Sequence, residues 1–185
     1  MTLFYRILIG LFRRSWRICS KANLVIPVEI FRIPIINGIG LNLIPLFRSK
    51  EFEVVLKAAL AIRPQGTVID IGANIGKFLL NLADVDRTTS YIGFEPLIPA
   101  AAYVRRLIVE NKLLNHSIIP VALSDHIGAD TIHYSDDADV SAALAQAAKP
   151  RGGSIRQQRV PVLTADVQLA DVSSIALIKI DVEGA

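Results

Sequence analysis

The sequence predicts an α/β fold with a doubly wound, mainly parallel sheet that is covered on both faces. Three observations point to this class. Short apolar runs alternate with segments of helical spacing, as in successive βαβ units. A turn containing glycine joins the first buried run to a helix. Acidic residues follow the apolar runs, and in this fold class ligands bind beyond the carboxyl ends of the strands.

Composition agrees with one folded domain. The chain has 185 residues, of which 52% are hydrophobic and 20% are charged. This composition excludes a disordered chain, because enough apolar surface is present to offset the entropy of folding. The one cysteine, Cys19, excludes a disulfide framework and a site with several thiolates, and is typical of a reducing compartment.

Positive charge is concentrated at the start of the chain. Residues 1–50 hold eight Lys or Arg residues and a single acid, Glu29, whereas residues 51–185 hold twelve basic and sixteen acidic residues. We therefore divide the chain into a basic amphipathic N-terminal segment (1–50) and a folded domain (51–185).

Residues 3–19 have the pattern of a cationic amphipathic helix, with arginines on one side and large apolar residues on the other. Its apolar side either packs on the protein's own core or a sister subunit, or the helix lies on an anionic membrane surface. Both alternatives stay open. No run is long enough to span a bilayer and no signal-peptide pattern is present, so we expect a cytoplasmic protein, with membrane association as the open question.

The first half of the domain is predicted from its apolar spacing and its breakers. Proline and glycine divide residues 24–47 into extended segments. Helical spacing over 52–62 stops at Arg63-Pro64-Gln65-Gly66. The continuous run 67–71 predicts a buried parallel strand, and 74–83 returns to helical spacing.

The second half continues the alternation. We predict, in order, a strand at 91–94, a helix at 99–113, a third core strand at 117–123, added strands at 131–134 and 157–163, and a fourth core strand at 175–180.

The stretch Val68-Ile69-Asp70-Ile71-Gly72-Ala73-Asn74-Ile75-Gly76 is the most informative. A dinucleotide fingerprint reads G-x-G-x-x-G after a strand, but here Asp70 replaces its first glycine. A carboxylate at that point repels a pyrophosphate and suits a ligand carrying ammonium and sulfonium charges. S-adenosylmethionine has both charges and no phosphate.

Three further acids follow predicted strands. Glu95 ends the next strand, near the offset of about 20 residues at which doubly wound folds place a ribose-binding carboxylate. Asp125 follows the third strand, where it is suited to accept from an adenine amine or to act as a turn or cap residue. Asp181 follows the fourth strand and shares one side with Glu183 if that strand continues.

The segments V-I-D-I-G-A-N-I-G, F-E-P, V-A-L-S-D and I-K-I-D-V-E-G-A occur in this order over residues 50–185. Together they resemble the FkbM family of S-adenosylmethionine-dependent methyltransferases. The resemblance implies a class I methyltransferase fold, Rossmann-like, and O-methylation of a hydroxyl on a sugar, glycolipid or polyketide-like natural product.

The resemblance also implies roles for individual residues. Cofactor-binding residues would be Asp70, Gly72, Asn74 and Gly76 at the methionine end, Glu95 at the ribose, and Ser124 and Asp125 at the adenine. Asp181 would lie nearest the transferring methyl and is our candidate for the catalytic base, with a cofactor-binding or structural role as the alternative.

Two departures from the family pattern matter. The family has T-L-D-D before its last motif, whereas this chain has Leu163-Thr164-Ala165-Asp166. The chain also stops at Ala185, inside the last motif. We therefore expect a C-terminally truncated domain, cut after the fourth core strand, which leaves that strand as an open edge. Such a piece is expected to be inactive or poorly soluble by itself.

The remaining polar residues carry weaker signals. His116, His126 and His133 are expected to be surface residues, and we predict no metal site, since Asp181 and Glu183 form only a common i, i+2 pair. We expect a small hydroxyl acceptor and no nucleic-acid partner. The alternatives are a non-catalytic remnant that keeps a nucleoside pocket, and a nicotinamide-dependent oxidoreductase, which Asp70 disfavours.

Overall fold

The computed structural model describes residues 24–36, 39–40, 43, 48–135, 142–144 and 155–182. The elements are, in chain order, β1 (Leu24–Val28), β2 (Phe31–Ile35), α1 (Lys50–Ile62), β3 (Thr67–Ile71), α2 (Lys77–Val85), β4 (Tyr91–Phe94), α3 (Ile98–Glu110), β5 (His116–Ile119), β6 (Ala122–Leu123), β7 (Gly128–Ser135), β8 (Ala142–Leu144), β9 (Ile155–Leu163), α4 (Ala165–Gln168) and β10 (Ile175–Ile180).

The predicted strands at 67–71, 91–94 and 175–180 are confirmed with their bounds unchanged. The helix predicted at 74–83 begins three residues later, at Lys77, because Gly76 precedes it in a left-handed conformation. The added strands β7 and β9 are longer than the predicted 131–134 and 157–163, and they pair with each other along the whole of β7.

The central sheet is parallel and has the strand order β10-β3-β4-β5. From β3 the chain moves in one direction to β4 and β5 and then returns to place β10 on the other side of β3. The order therefore reverses between β3 and β10. This is the topological switch point at which open α/β sheets bind ligands, beyond the carboxyl ends of the strands. The α/β, doubly wound fold predicted from the sequence is confirmed.

Apolar side chains cover both faces of this sheet, because neighbouring residues of a strand point to opposite sides. Val68 belongs to the large core formed with α1, α2, α3 and the β1–β2 hairpin. Ile69 packs in a second cluster with Phe94 and Val121. The buried strand therefore carries apolar residues on both faces, as its continuous run predicts.

The β1–β2 hairpin is part of the large core, although its residues come from the basic segment 1–50. Phe31, Ile33 and Ile35 are at most 1% exposed. The side chain of Asn111 accepts from the backbone N–H of Arg32 and donates to its carbonyl, both at 2.8 Å. These contacts hold the hairpin on the C-terminal end of α3.

One predicted strand is wrong. The third core strand was expected to run from 117 to 123, but β5 ends at Ile119 and β6 belongs to a second sheet of order β6-β9-β7-β8. Pro120 lacks a backbone N–H, and the N–H of Val121 bonds back to the carbonyl of Ile119 at 2.9 Å, so the chain turns out of the first sheet.

No helix in the described part of the chain is both long and apolar enough to cross a bilayer. The amphipathic helix predicted at residues 3–19 lies outside the described residues, as does Glu183.

Candidate functional site

The site is built around the turn that follows β3 at the switch point. This turn comprises residues 72–76 and is called the Gly72 turn below. The backbone N–H groups of Gly72 and Ala73 both donate to the carbonyl of Phe94, at 3.0 Å each. Gly72 has φ 81°, and a Cβ there would overlap the carbonyl oxygen of Asp181. Only glycine therefore allows the ends of β3 and β10 to approach this closely.

Asp70 lies inside the protein and not on its rim. Its side chain is 0% exposed. One carboxylate oxygen accepts from the Tyr91 hydroxyl at 2.8 Å, and the other lies 2.9 Å from the Lys179 ammonium. Burial raises the pKa of the Asp70 carboxyl above its ordinary value, and the charge of Lys179 opposes that shift. The Asp70 carboxylate therefore faces protein partners on both sides.

The sequence reasoning missed Lys179, which touches three of the predicted features. Its ammonium lies 2.9 Å from the Gly72 carbonyl, 2.9 Å from Asp70 and 3.5 Å from Asp181. A signal for it was present: Lys179 is a charge in an otherwise apolar strand, as Asp70 is. The two residues stand opposite each other in the register of β10 and β3.

Glu95 joins the Gly72 turn to the segment after β4. It is 6% exposed. Its carboxylate accepts from the N–H of Asn74 at 2.8 Å and from the N–H of Leu97 at 2.9 Å. Burial raises the pKa of Glu95, and these two amides oppose the rise. A carboxylate has about four lone-pair sites, so each oxygen keeps one for a further donor such as a ribose hydroxyl.

The two remaining turn residues have different surroundings. Asn74 is exposed and adopts φ 47°, which asparagine tolerates better than most residues. Gly76 is buried, and a Cβ there would lie 3.0 Å from Leu107 and 3.4 Å from Val104 on α3. Gly76 thus allows α3 to pack closely on the start of α2, whereas Asn74 presents its side chain to solvent.

Ser124 and Asp125 lie after β6, at a strand end of the second sheet. The N–H of Ser124 donates to the carbonyl of Leu163 at 3.0 Å, and its hydroxyl donates to Asp125 at 3.3 Å. The Asp125 side chain is 97% exposed and lies 3.2 Å from His126, which lowers the pKa of that carboxyl. The sequence predicted that these residues follow a strand of the parallel sheet. They follow a strand of the second sheet instead, because the chain leaves the parallel sheet at Pro120.

Asp181 lies at the end of β10, beside the Gly72 turn. Its N–H donates to the carbonyl of Ile71 at 3.0 Å, which continues the pairing of β10 with β3 by one residue. Its side chain is 75% exposed and 3.5 Å from Lys179. Asp181 is therefore the candidate acid at the switch point that projects into solvent.

The expectation that the histidines lie at the surface is wrong for His116. This residue is 7% exposed and its ring stacks on Tyr91, with centroids 5.7 Å apart. Neither ring nitrogen has a hydrogen-bond partner within the described residues. Burial lowers the pKa of His116 to about 4, so its imidazole is neutral at pH 7. It begins β5, at the opposite end of the sheet from the candidate site.

A family model for the methyltransferase FkbM domain matches residues 70–185. Among curated proteins, cyclosporin synthetase simA of Tolypocladium inflatum is 35% identical over 66 residues, which is 35% of this chain and 0%, to the nearest per cent, of that protein.

Two solved structures are similar at low identity. Coclaurine N-methyltransferase, solved with N-methylheliamine and SAH, is 13% identical with a TM-score of 0.35, covering 70% of this chain and 41% of that one. An uncharacterized protein of Burkholderia thailandensis is 12% identical with a TM-score of 0.30, covering 91% and 51%. The chain thus spans about half or less of the length of the proteins that it matches.

Proposed function

Since this chain belongs to the FkbM methyltransferase family, we propose that it binds S-adenosylmethionine and takes part in transferring the methyl group to a hydroxyl of a small molecule. The observation that carries the proposal is the placement of the Gly72 turn and Asp181 together at the switch point of the sheet. Ligands of doubly wound folds bind at this place.

The hydrogen bonds of the turn argue against a dinucleotide. Phosphate-binding turns direct free backbone N–H groups at the ligand. Here the N–H groups of Gly72 and Ala73 donate to Phe94, and that of Asn74 donates to Glu95. These three donors are therefore not available to a pyrophosphate, and the turn suits a nucleoside better than a dinucleotide.

The groups that remain available fit S-adenosylmethionine. Asn74 is exposed at the turn, and each Glu95 oxygen keeps an accepting site for a ribose hydroxyl. Ser124 and Asp125 are exposed and carry acceptors of the kind that an adenine amine requires. Asp70, Gly72 and Gly76 support the turn from inside.

The bound cofactor would supply an activated methyl group on a sulfonium. The protein must hold the acceptor hydroxyl in line with that methyl, which is a proximity effect worth several kcal/mol or more, about 7–11 in well-oriented cases. The hydroxyl proton must also leave. We propose that Asp181 accepts it, because within the described residues its side chain is the exposed carboxylate among the candidate acids at the switch point.

The acceptor class that we propose is a hydroxyl on a sugar, a glycolipid or a polyketide-like natural product. This follows from the family and not from a feature of the described residues. A lipid-linked acceptor would suit the cationic pattern of residues 3–19, which stays a prediction from sequence.

Calorimetric titration of the 185-residue chain with S-adenosylmethionine, S-adenosylhomocysteine and NAD tests the proposal. We expect both nucleosides to bind and NAD not to bind. Transfer of a labelled methyl group is measured beside it, in this chain and in a C-terminally extended version. Binding of NAD in place of the nucleosides would refute the proposal. Binding without transfer in both versions would favour a nucleoside-binding module.

A further inference from the structure

We propose that Lys179 is a positioning residue of the cofactor site, an internal cation that fixes the Gly72 turn and the Asp70 carboxylate against the end of β10. The inference deepens the proposed function and rests on it for the identity of the ligand. The claim that Lys179 fixes the turn concerns contacts within the chain, and it rests on the geometry of Lys179, Gly72 and Asp70.

Three oxygens lie near the Lys179 ammonium, which donates a hydrogen bond to the Gly72 carbonyl and forms ion pairs with Asp70 and Asp181. Two lie at 2.9 Å, on Asp70 and on the Gly72 carbonyl, and the third, on Asp181, lies at 3.5 Å. Its side chain is 17% exposed, so the pair with Asp70 is largely removed from water. In this position Lys179 connects the turn after β3 with Asp181, the residue that follows β10.

The pairing with Asp70 has a physical cause. A buried carboxylate without a partner is costly, whereas a buried pair with good geometry recovers much of the cost. On the other side of Asp70 stands Tyr91, whose hydroxyl reaches it across Gly93. A Cβ on Gly93 would lie 2.6 Å from that hydroxyl, so the glycine leaves the space that Tyr91 occupies.

The Gly72 turn is held from two directions as a result. Its N–H group donates to the carbonyl of Phe94 on β4, and its carbonyl accepts from Lys179 on β10. A turn fixed on both sides is set in one geometry before a ligand arrives. Such pre-organisation increases affinity because less conformational freedom is lost on binding.

A different role for Lys179 would give the opposite result. If its charge acted only by repelling a cationic ligand, removing it would tighten binding of S-adenosylmethionine, and would leave the neutral thioether S-adenosylhomocysteine unaffected. If Lys179 positions the turn, its removal weakens both ligands to the same extent. Comparison of the two ligands therefore separates the two roles.

The test compares Lys179→Met with the double variant Asp70→Asn/Lys179→Met, which removes the buried charge that the single variant leaves without its cation. Lys57→Met is the matched control, because Lys57 is 62% exposed and pairs with Glu53 on the surface of α1. Amide hydrogen exchange is measured without ligand, followed by calorimetry with both nucleosides.

We expect the amides of residues 72–74 to exchange about tenfold faster in both Lys179 variants, the equivalent of one hydrogen bond to a charged group. Amides in the core of α3 should exchange at the wild-type rate in the Lys179 variants. In the Lys57→Met control, the amides of residues 72–74 should also exchange at the wild-type rate. Both nucleosides should bind Lys179→Met about tenfold more weakly, by the same factor.

Unchanged exchange at residues 72–74 in both variants would overturn the inference, and so would tighter binding of S-adenosylmethionine alone. If the wild type binds neither nucleoside, the proposed function is wrong, while the exchange measurement still decides whether Lys179 fixes the turn.

Discussion

The substitution Glu95→Gln tests the link between the Gly72 turn and the segment after β4. The carboxylate accepts from the N–H groups of Asn74 and Leu97 at 2.8 and 2.9 Å in a site that is 6% exposed. A glutamine keeps one accepting oxygen and turns an NH₂ group toward the other N–H. One bond to a charged group is lost, at about 1.5–3 kcal/mol, and one buried donor is left without a partner.

Two effects therefore oppose each other in this variant. The lost bond destabilises the fold. Removing the charge stabilises it, because the free-energy cost of burying that charge, which also raises the pKa of Glu95, is no longer present. We expect the first to exceed the second and the free energy of unfolding to fall by about 2 kcal/mol. The measurement is urea denaturation at pH 7, followed by circular dichroism.

The control for this substitution is Glu53→Gln on α1. Glu53 pairs with Lys57 at 2.6 Å, and the side chains of both are more than half exposed, so the change should cost about 0.5 kcal/mol or less. Glu95→Gln should also weaken binding of S-adenosylhomocysteine about tenfold or more, because the proposed ribose acceptor is lost. A Glu95 variant that matches the control in both stability and affinity would refute this account of Glu95.

Three further predictions concern other parts of the sheet. Gly72→Ala should destabilise the fold by about 1–3 kcal/mol in denaturation, because φ is 81° and a Cβ meets the carbonyl of Asp181, whereas Gly128→Ala, with 3.6 Å to its nearest neighbour, should not. In the C-terminally extended version, Asp181→Asn should slow methyl transfer about 100-fold or more with little change in cofactor affinity, and Asp166→Asn should change neither. The pKa of His116 is about 4 in the folded chain against an ordinary 6.5, so the unfolded chain binds more protons between these values and stability falls as pH is lowered through them. His116→Phe should abolish that loss, about 2 kcal/mol at pH 5, and an unchanged pH dependence would contradict it.

The strands of the central sheet could be predicted because their signals are local. Continuous apolar runs fix the bounds of β3, β4 and β10, and the polar residues that follow them mark the carboxyl edge. The family resemblance rests on the same segments, and the match to residues 70–185 confirms it. The third strand was mistaken because a run of apolar residues conceals the turn at Pro120, where the chain leaves one sheet for another.

The burial of individual side chains and the register between strands could not be predicted in the same way. The sequence predicts that Asp70 lies near a strand end. It does not predict how deeply the side chain is buried, because that depends on the strands on either side. Lys179 stands opposite Asp70 only because β10 pairs with β3, and that pairing joins residues far apart in the chain. His116 looks like a loop residue until β5 places it under Tyr91. Each of these errors concerns a contact between distant segments.

The surroundings of the acids at the switch point bear on how the proposed cationic ligand would be selected. The sequence predicts acids at the strand ends, with the Asp70 carboxylate facing a cationic ligand, but Asp70 is paired with Lys179 and Glu95 accepts from two backbone amides. Asp181 and Asp125 remain exposed, and one such charge at 4 Å in water contributes only about 1 kcal/mol. The sulfonium charge is therefore a minor part of recognition in our proposal. The major part in our proposal is the shape of the Gly72 turn, whose first three amides are bonded within the protein and whose geometry depends on the buried acids.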